Sequence, residues 1–185
     1  MVVNVEKRLL TVAEYHKMAE VGILDPDDRV ELIKGEIIKM SPLNSPHTSP
    51  VKRITSLMYQ LFGNRLTISV QDPITIEDHS EPEPDIALLA FSKDFYAERH
   101  PRPEDVILLI EVADSTVAKD QQLKLPLYAE AGIKEYWIVN IVEKQLEVYQ
   151  QPKDSSYTIQ KIYTSRDQVR LENLGATINV NSILG

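Results

Sequence analysis

Two acidic residues interrupt stretches of this sequence that are otherwise apolar. Asp85 opens "DIALLA" (residues 85–90), and Glu111 sits near the end of "DVILLIEVA" (residues 105–113). If the two stretches are neighbouring strands, roughly 4.8 Å apart, their carboxylates come within a few ångströms of each other. Carboxyl groups that close repel unless a proton or a cation lies between them. A hard divalent ion, Mg²⁺ or Mn²⁺, takes carboxylate and carbonyl oxygens together with water and satisfies both. The chemistry such a pair supports is metal-assisted hydrolysis. One acid alone could merely cap a strand or pair with a basic side chain. Glu111 resists that reading, because "LLIEVA" offers it no polar neighbour.

A lysine follows at a suggestive distance. Asp120, Lys124 and Tyr128 recur at i, i+4 and i+8, so they share one face of a helix that starts directly after the Glu111 stretch. The first turns of that helix lean over the end of the strand, which lets Lys124 point at the acids. The residues alone leave a second reading open, an Asp120–Lys124 pair on a wet surface worth a few tenths of a kcal/mol. A different chemistry also needs weighing: Asp85 and Glu111 as general acid and base of a sugar hydrolase, one of them with a raised pKa and neither needing a metal. No aromatic cleft in the neighbouring sequence supports it.

These residues need elements to position them. "TVAEYHKMAEVG" reads as a short helix capped by Thr11 and stopped by Gly22. "RVELIKGEIIKM" reads as a hairpin turning at Lys34-Gly35. "SPLNSPHTSP" is a loop leading into the helix "VKRITSLMYQLF", whose buried stripe would be Val51, Ile54, Leu57, Met58 and Leu61. Three strands follow, "LTISVQ", "DIALLA" and "DVILLIEVA", the last two continuous apolar runs of the kind covered on both faces. "DSTVAKDQQLKLPLYAEAG" reads as a helix capped by Asp114, Ser115 or Thr116 and bent at Pro126. "EYWIVNI" is a further strand, its Tyr136 and Trp137 read as packing residues, and "QLEVYQ", "YTIQKIY" and "ATINV" form a β-rich tail. The acids that precede Asp85 in "SEPEPD" read as a solvated loop, and His16, His79 and His100 show no metal-ligand spacing along the chain.

Composition sets the limits. A chain of 185 residues is expected to fold as one domain, 1–185. Cys 0 rules out disulfides, thiolate nucleophiles and Cys-ligated zinc. "MVVNVEKRLL" lacks the layout of a signal peptide, and the run "VILLIEVA" is far below the roughly 18–20 residues that span a bilayer. The expectation is therefore a cytoplasmic protein with no membrane partner. A net charge of -8 argues against simple electrostatic binding of nucleic acid, yet from Ile37 to Gln71 the charged residues are all basic: Lys39, Lys52, Arg53 and Arg65.

Four segments in order, "ELIKGEIIKMSP", "PEPDIALL", "HPRPEDVILLIEVADST" and "KLPLYAEAGIKEYWIV", resemble the Uma family of "putative restriction endonucleases", within the PD-(D/E)xK nuclease superfamily. The resemblance runs from about residue 30 to about residue 150. It implies an α/β, restriction-endonuclease-like core: a mixed central sheet flanked by helices, with an N-terminal hairpin and a β-rich C-terminal extension. It implies Mg²⁺- or Mn²⁺-dependent cleavage of phosphodiester bonds in a nucleic acid, DNA foremost. Pro84-Asp85 resembles the "PD" element, with Asp85 a metal ligand, and Glu111 resembles the acid of the "(D/E)xK" element. Ala113 stands where that element has its lysine, so Lys124 from the following helix becomes the candidate replacement. The backbone carbonyl of Val112 would be a third metal oxygen. Glu31 and His47 lie in resembling segments as supporting ligands or proton carriers, and Gln71 could bind substrate or water. Lys52 and Arg53 could contact backbone phosphates. A homodimer is a further expectation, since cutting two strands suits two-fold symmetry. The missing strand lysine and the net charge keep a rival open, a nuclease-like fold that binds nucleic acid or protein without catalysis.

Overall fold

A computed structural model of the chain describes residues 6–25, 27–40, 45–114, 118 and 120–185, Asp120 by its backbone alone. Its centre is a six-stranded sheet in the order β3-β4-β5-β6-β7-β8. The strands are β3 (Leu66–Ser69), β4 (Ile86–Ala90), β5 (Val106–Ala113), β6 (Glu135–Asn140), β7 (Gln145–Lys153) and β8 (Ser156–Tyr163). Every neighbouring pair is antiparallel except β5 and β6, which run parallel. A parallel pair cannot be joined by a tight turn and needs a crossover. That crossover carries a π-helical turn (Asp120–Lys124) and the helix α3 (Leu125–Glu130) across one face of the sheet.

Alternation along the strands divides the core in two. Ile86, Leu88, Leu108, Ile110 and Val112 point to one face, where Val51, Ile54, Met58 and Phe62 of α2 (Ser45–Phe62) pack on them. Each such side chain, once buried, contributes about 1.5–3 kcal/mol. Ala87, Leu89, Leu109 and Ala113 point to the other face, against Leu127, Tyr128 and Ala129 of α3. Asp85 and Glu111 share the parity of that second set. In the β4–β5 ladder Ile86 pairs with Ile110, so one step further sets Asp85 opposite Glu111.

The N-terminal elements lie beside this face. α1 (Val12–Glu20) opens with a Thr11–Glu14 capping box. β1 (Val30–Ile33) and β2 (Glu36–Lys39) form the expected hairpin, with positive φ at both Lys34 and Gly35. Gly35 has no substitute: a Cβ there would lie 2.5 Å from the Leu9 Cβ, and its backbone already bonds Leu10 and His79. At the other end of the chain, β7 and β8 extend the main sheet, while β9 (Gln168–Leu171) and β10 (Ala176–Asn179) pair separately and α4 (Asn181–Leu184) follows.

Several expectations change. The stripe on α2 ends at Phe62, since Leu61 is exposed and Leu57 only partly covered. α2 starts at Ser45, so His47 lies in its first turns and not on a loop. The segment before Asp85 is not solvated: Ser80, Glu81 and Pro82 are buried because Glu81 N–H bonds the Leu32 carbonyl, laying the segment along β1. Pro126 does not bend a continuous helix. It sits at the start of α3, and the chain before it widens to a π turn, which accommodates a residue that cannot donate and whose ring crowds the carbonyl four residues back. The proposed caps Ser115 and Thr116 lie outside the described residues, as does the side chain of Asp120.

Candidate active site

Asp85 ends the buried segment and turns into β4. Its Oδ2 accepts from the Val112 N–H at 2.8 Å and stands 3.1 Å from His47 Nε2; its Oδ1 accepts from Gln71 Nε2 at 3.2 Å. The Asp85 N–H points to Glu111 Oε2 at 3.4 Å, which fits the register one step past the ladder. Gln71 reaches back because it lies just past β3 with φ +56°, a left-handed conformation that few residues other than glycine adopt.

Glu111 accepts from two donors on the crossover. Lys124 Nζ lies 2.8 Å from Glu111 Oε1, and the Tyr128 hydroxyl donates to the same oxygen at 3.2 Å. The i, i+4 spacing of Lys124 and Tyr128 thus converges on one carboxylate. Lys124 also lies 3.2 Å from Glu31 Oε2 and donates to the Glu83 carbonyl at 3.2 Å. Glu31 in turn accepts from the Glu83 N–H at 3.3 Å. Ala113 shares the face of Glu111, and the crossover covering that face brings the Lys124 ammonium to the carboxylate.

The cluster is deep and opens on one side. Side chains of Glu31, Glu111 and Lys124 keep 0%, 5% and 5% exposure, whereas Asp85 and His47 keep 10% and 15%. Asp85 raises the His47 imidazole above its usual range; burial opposes this and is outweighed. Burial is also the largest influence on Asp85 and would push its carboxyl up. The His47 ring, the Val112 N–H and the Lys124 ammonium together take it below the usual carboxylate range. Burial, then the charge of Glu31, raises the Glu83 carboxyl. Tyr128 is raised well above the usual phenol range, chiefly by burial, so it serves as a donor.

Glu31, Asp85 and Glu111 therefore bring three carboxyl groups to one ammonium and one imidazole. The Val112 N–H faces Asp85, and in an extended strand a residue's carbonyl points the same way as its N–H, toward the cluster. Such an oxygen-rich set suits a hard divalent ion.

Of the residues singled out in the sequence, Asp85, Glu111, Lys124, Val112, Glu31, His47 and Gln71 meet here. Lys52 is exposed on α2. Arg53 does not reach the cluster: its guanidinium clasps the Ile183 and Leu184 carbonyls at 2.8 and 2.7 Å, holding the C-terminal helix against α2. Tyr136 and Trp137 are fully buried. Two contributors had no role in the sequence reading. Tyr128 was signalled by its spacing from Lys124; the Glu83 backbone carried no signal.

A family model, Uma2, described as "Putative restriction endonuclease", matches residues 12–181. The chain is also similar to a crystal structure from Anabaena variabilis ATCC 29413, described as that of "a putative nuclease belonging to DUF820". The TM-score is 0.74 at 14% identity, over 95% of this chain and 97% of that one. At that identity the likeness shows a shared fold. No curated protein matches the chain.

Proposed function

The chain belongs to the Uma2 family, and from that premise we propose that it is a divalent-metal-dependent nuclease hydrolysing phosphodiester bonds, DNA foremost. The observation that carries this reading is the meeting of Asp85, Glu111 and Lys124 on one sheet face, with Glu31 closing the far side. Asp85, Glu111 and the Val112 carbonyl would hold Mg²⁺ or Mn²⁺, with Glu31 a further carboxylate within reach of the same lysine. Such an ion, when bound, supplies Lewis-acid stabilisation of charge on the phosphoryl oxygens.

The remaining steps belong to the chain. Gln71 and the Val112 N–H fix the orientation of Asp85. Lys124 sets a buried positive charge where negative charge grows on the phosphate, an effect that falls by roughly 100- to 1,000-fold when one such donor is lost. Water forms a new O–P bond as one ester O–P bond breaks, and the leaving oxygen needs a proton. His47, 3.1 Å from Asp85 at the open side, is the imidazole placed to supply it. Lys52 remains available to a backbone phosphate, whereas the Arg53 guanidinium is committed to the C-terminal carbonyls. Pairing of two copies would suit cleavage of both strands of a duplex.

The test is cleavage of plasmid DNA, duplex and single-stranded oligonucleotides and RNA, with Mg²⁺, with Mn²⁺ and with EDTA. Metal-dependent cleavage lost in Asp85→Asn and Glu111→Gln supports the reading. Cleavage that persists in EDTA points to acid/base chemistry without metal, and failure on every substrate points to a silent binding module.

A further inference from the structure

Outside the cluster just described, a second set of donors converges from three separate parts of the chain. His16 comes from α1, Glu81 from the segment laid along β1, and His100 from the stretch before β5. One ligand atom from each lies within 4.8 Å of the other two, and among the described residues this is the one such trio of His, Asp or Glu donors. His16 Nε2 stands 2.6 Å from Glu81 Oε1, and the two imidazole rings meet edge to face with centroids 6.2 Å apart.

We propose that His16, Glu81 and His100 form a second divalent-cation site, of zinc type, separate from Asp85 and Glu111. Two imidazoles and one carboxylate are a borderline-soft donor set that suits Zn²⁺, whereas the oxygen-rich cluster around Asp85 suits Mg²⁺. Donors bound at zinc distances lie roughly 3.3 Å from one another in a tetrahedron, so closure asks only for small side-chain movements. The geometry permits them. Glu81 is the fixed member, 3% exposed, while His16 and His100 lie at the surface with room to turn.

The carboxylate is also prepared in the way metal ligands are. Its second oxygen accepts from the Thr75 hydroxyl at 2.9 Å, while Oε1 faces the His16 imidazole. Thr75 further ties the trio together, since its N–H bonds the Pro101 carbonyl next to His100 at 2.9 Å. Among the described residues Glu81 has no ion-pair partner but His16. His16 bonds the buried carboxylate directly, and a ligand atom of His100 lies within 4.8 Å of both, a spacing that a shared cation would close. An ion bound there would pin α1 and the His100 stretch to the segment that leads through Glu83 into Asp85. Three protein donors would leave a fourth position for water.

The test is calorimetric titration of Zn²⁺ into the full, tag-free chain, with the melting temperature measured alongside, for the wild type, His16→Ala, His100→Ala, Thr75→Val and Asp85→Asn. The expected result is one tight zinc per chain and a melting temperature raised by zinc. Both effects should be lost in His16→Ala and His100→Ala, and Thr75→Val should weaken zinc by about 10- to 100-fold. Asp85→Asn should bind zinc as the wild type does, whatever happens to cleavage. Zinc bound equally by the two His variants overturns the proposal. So does its loss in Asp85→Asn, or no binding by the wild type at millimolar zinc. His16→Ala takes from the buried Glu81 its ion-pair partner and is expected to lower stability without zinc. Circular dichroism therefore checks that each variant folds, and His100→Ala, which leaves that pair intact, keeps the test decisive.

Discussion

Lys124 and Glu111 are joined at 2.8 Å across an element boundary, the ammonium on a π-helical turn and the carboxylate on the strand beneath it. Both are buried, and Lys124 is held at the same time by Glu31 and the Glu83 carbonyl. Ala113 occupies the position two residues beyond Glu111, and the ammonium meets the carboxylate from the element above the sheet.

Removing that ammonium leaves two carboxyl groups buried without their cation. Lys124→Met should cost about 3–5 kcal/mol of stability in EDTA, read by urea unfolding. It should also lower metal-dependent cleavage by roughly 100- to 1,000-fold. Lys124→Arg should not restore activity, because a planar fork does not fit a pocket built around a compact ammonium. An unfolding midpoint equal to the wild type's would mean that Glu31 and Glu111 do not depend on this lysine.

Tyr128→Phe removes one donor to Glu111 and nothing else of size. The expected loss is about 1.5–3 kcal/mol, as for hydrogen bonds to charged groups. Its measure is equilibrium denaturation in EDTA. A neutral effect would show that the hydroxyl has no part in holding Glu111.

His47 and Asp85 give a pH dependence with opposite limbs. His47 is raised by Asp85, so its contribution is fully present below its ordinary value of 6.5 and fades as pH rises through the folded value. Asp85 is lowered, so its contribution is present above its ordinary value of 3.8 and fades as pH falls through the folded value. The stability gap between wild type and His47→Ala in EDTA should therefore be widest between these two ordinary values and narrow on either side. Proton NMR of the His47 ring should show a midpoint above 6.5 that drops in Asp85→Asn; a midpoint unmoved by that substitution would contradict the pairing.

Glu135 lies away from the site and tests chiefly burial, with the charge of Glu172 adding to it. Burial raises its carboxyl, against the opposing help of Gln150 and the Trp137 indole N–H, which it accepts at 2.8 Å. A raised acid favours folding at low pH and loses that advantage as pH rises above 4.5. Glu135→Gln keeps an acceptor for the indole and removes the charge. It should raise the melting temperature at pH 7, with the difference closing toward pH 4. A variant less stable at pH 7 would show that the charge itself is needed.

What could be read in the sequence follows from what is local. Asp85 and Glu111 were visible because each breaks an apolar run, and strand parity then put them on one face. Thr11 and the Lys34-Gly35 turn were visible because capping and positive φ are chosen by residue type within a few positions. Lys124 needed the family resemblance, since a lysine on a helix is ordinarily solvated. The burial of Glu81 could not be read, because it depends on a bridge to Leu32 far away in the chain. His16 and His100 were unreadable for the same reason: their spacing in sequence says nothing once α1 folds back beside the Glu81 segment. Arg53 reads in sequence as a phosphate contact, and its bonds to the Ile183 and Leu184 carbonyls could not be read, because the C-terminal helix carries no signal of its docking.

The most direct measurement is crystallographic: crystals of the protein soaked in Mn²⁺, with anomalous differences recorded near the manganese absorption edge. A peak between the carboxylates of Asp85 and Glu111, within bonding distance of the Val112 carbonyl and absent from Asp85→Asn crystals, is the predicted result. Well-diffracting crystals in millimolar Mn²⁺ with no peak at those carboxylates would contradict it.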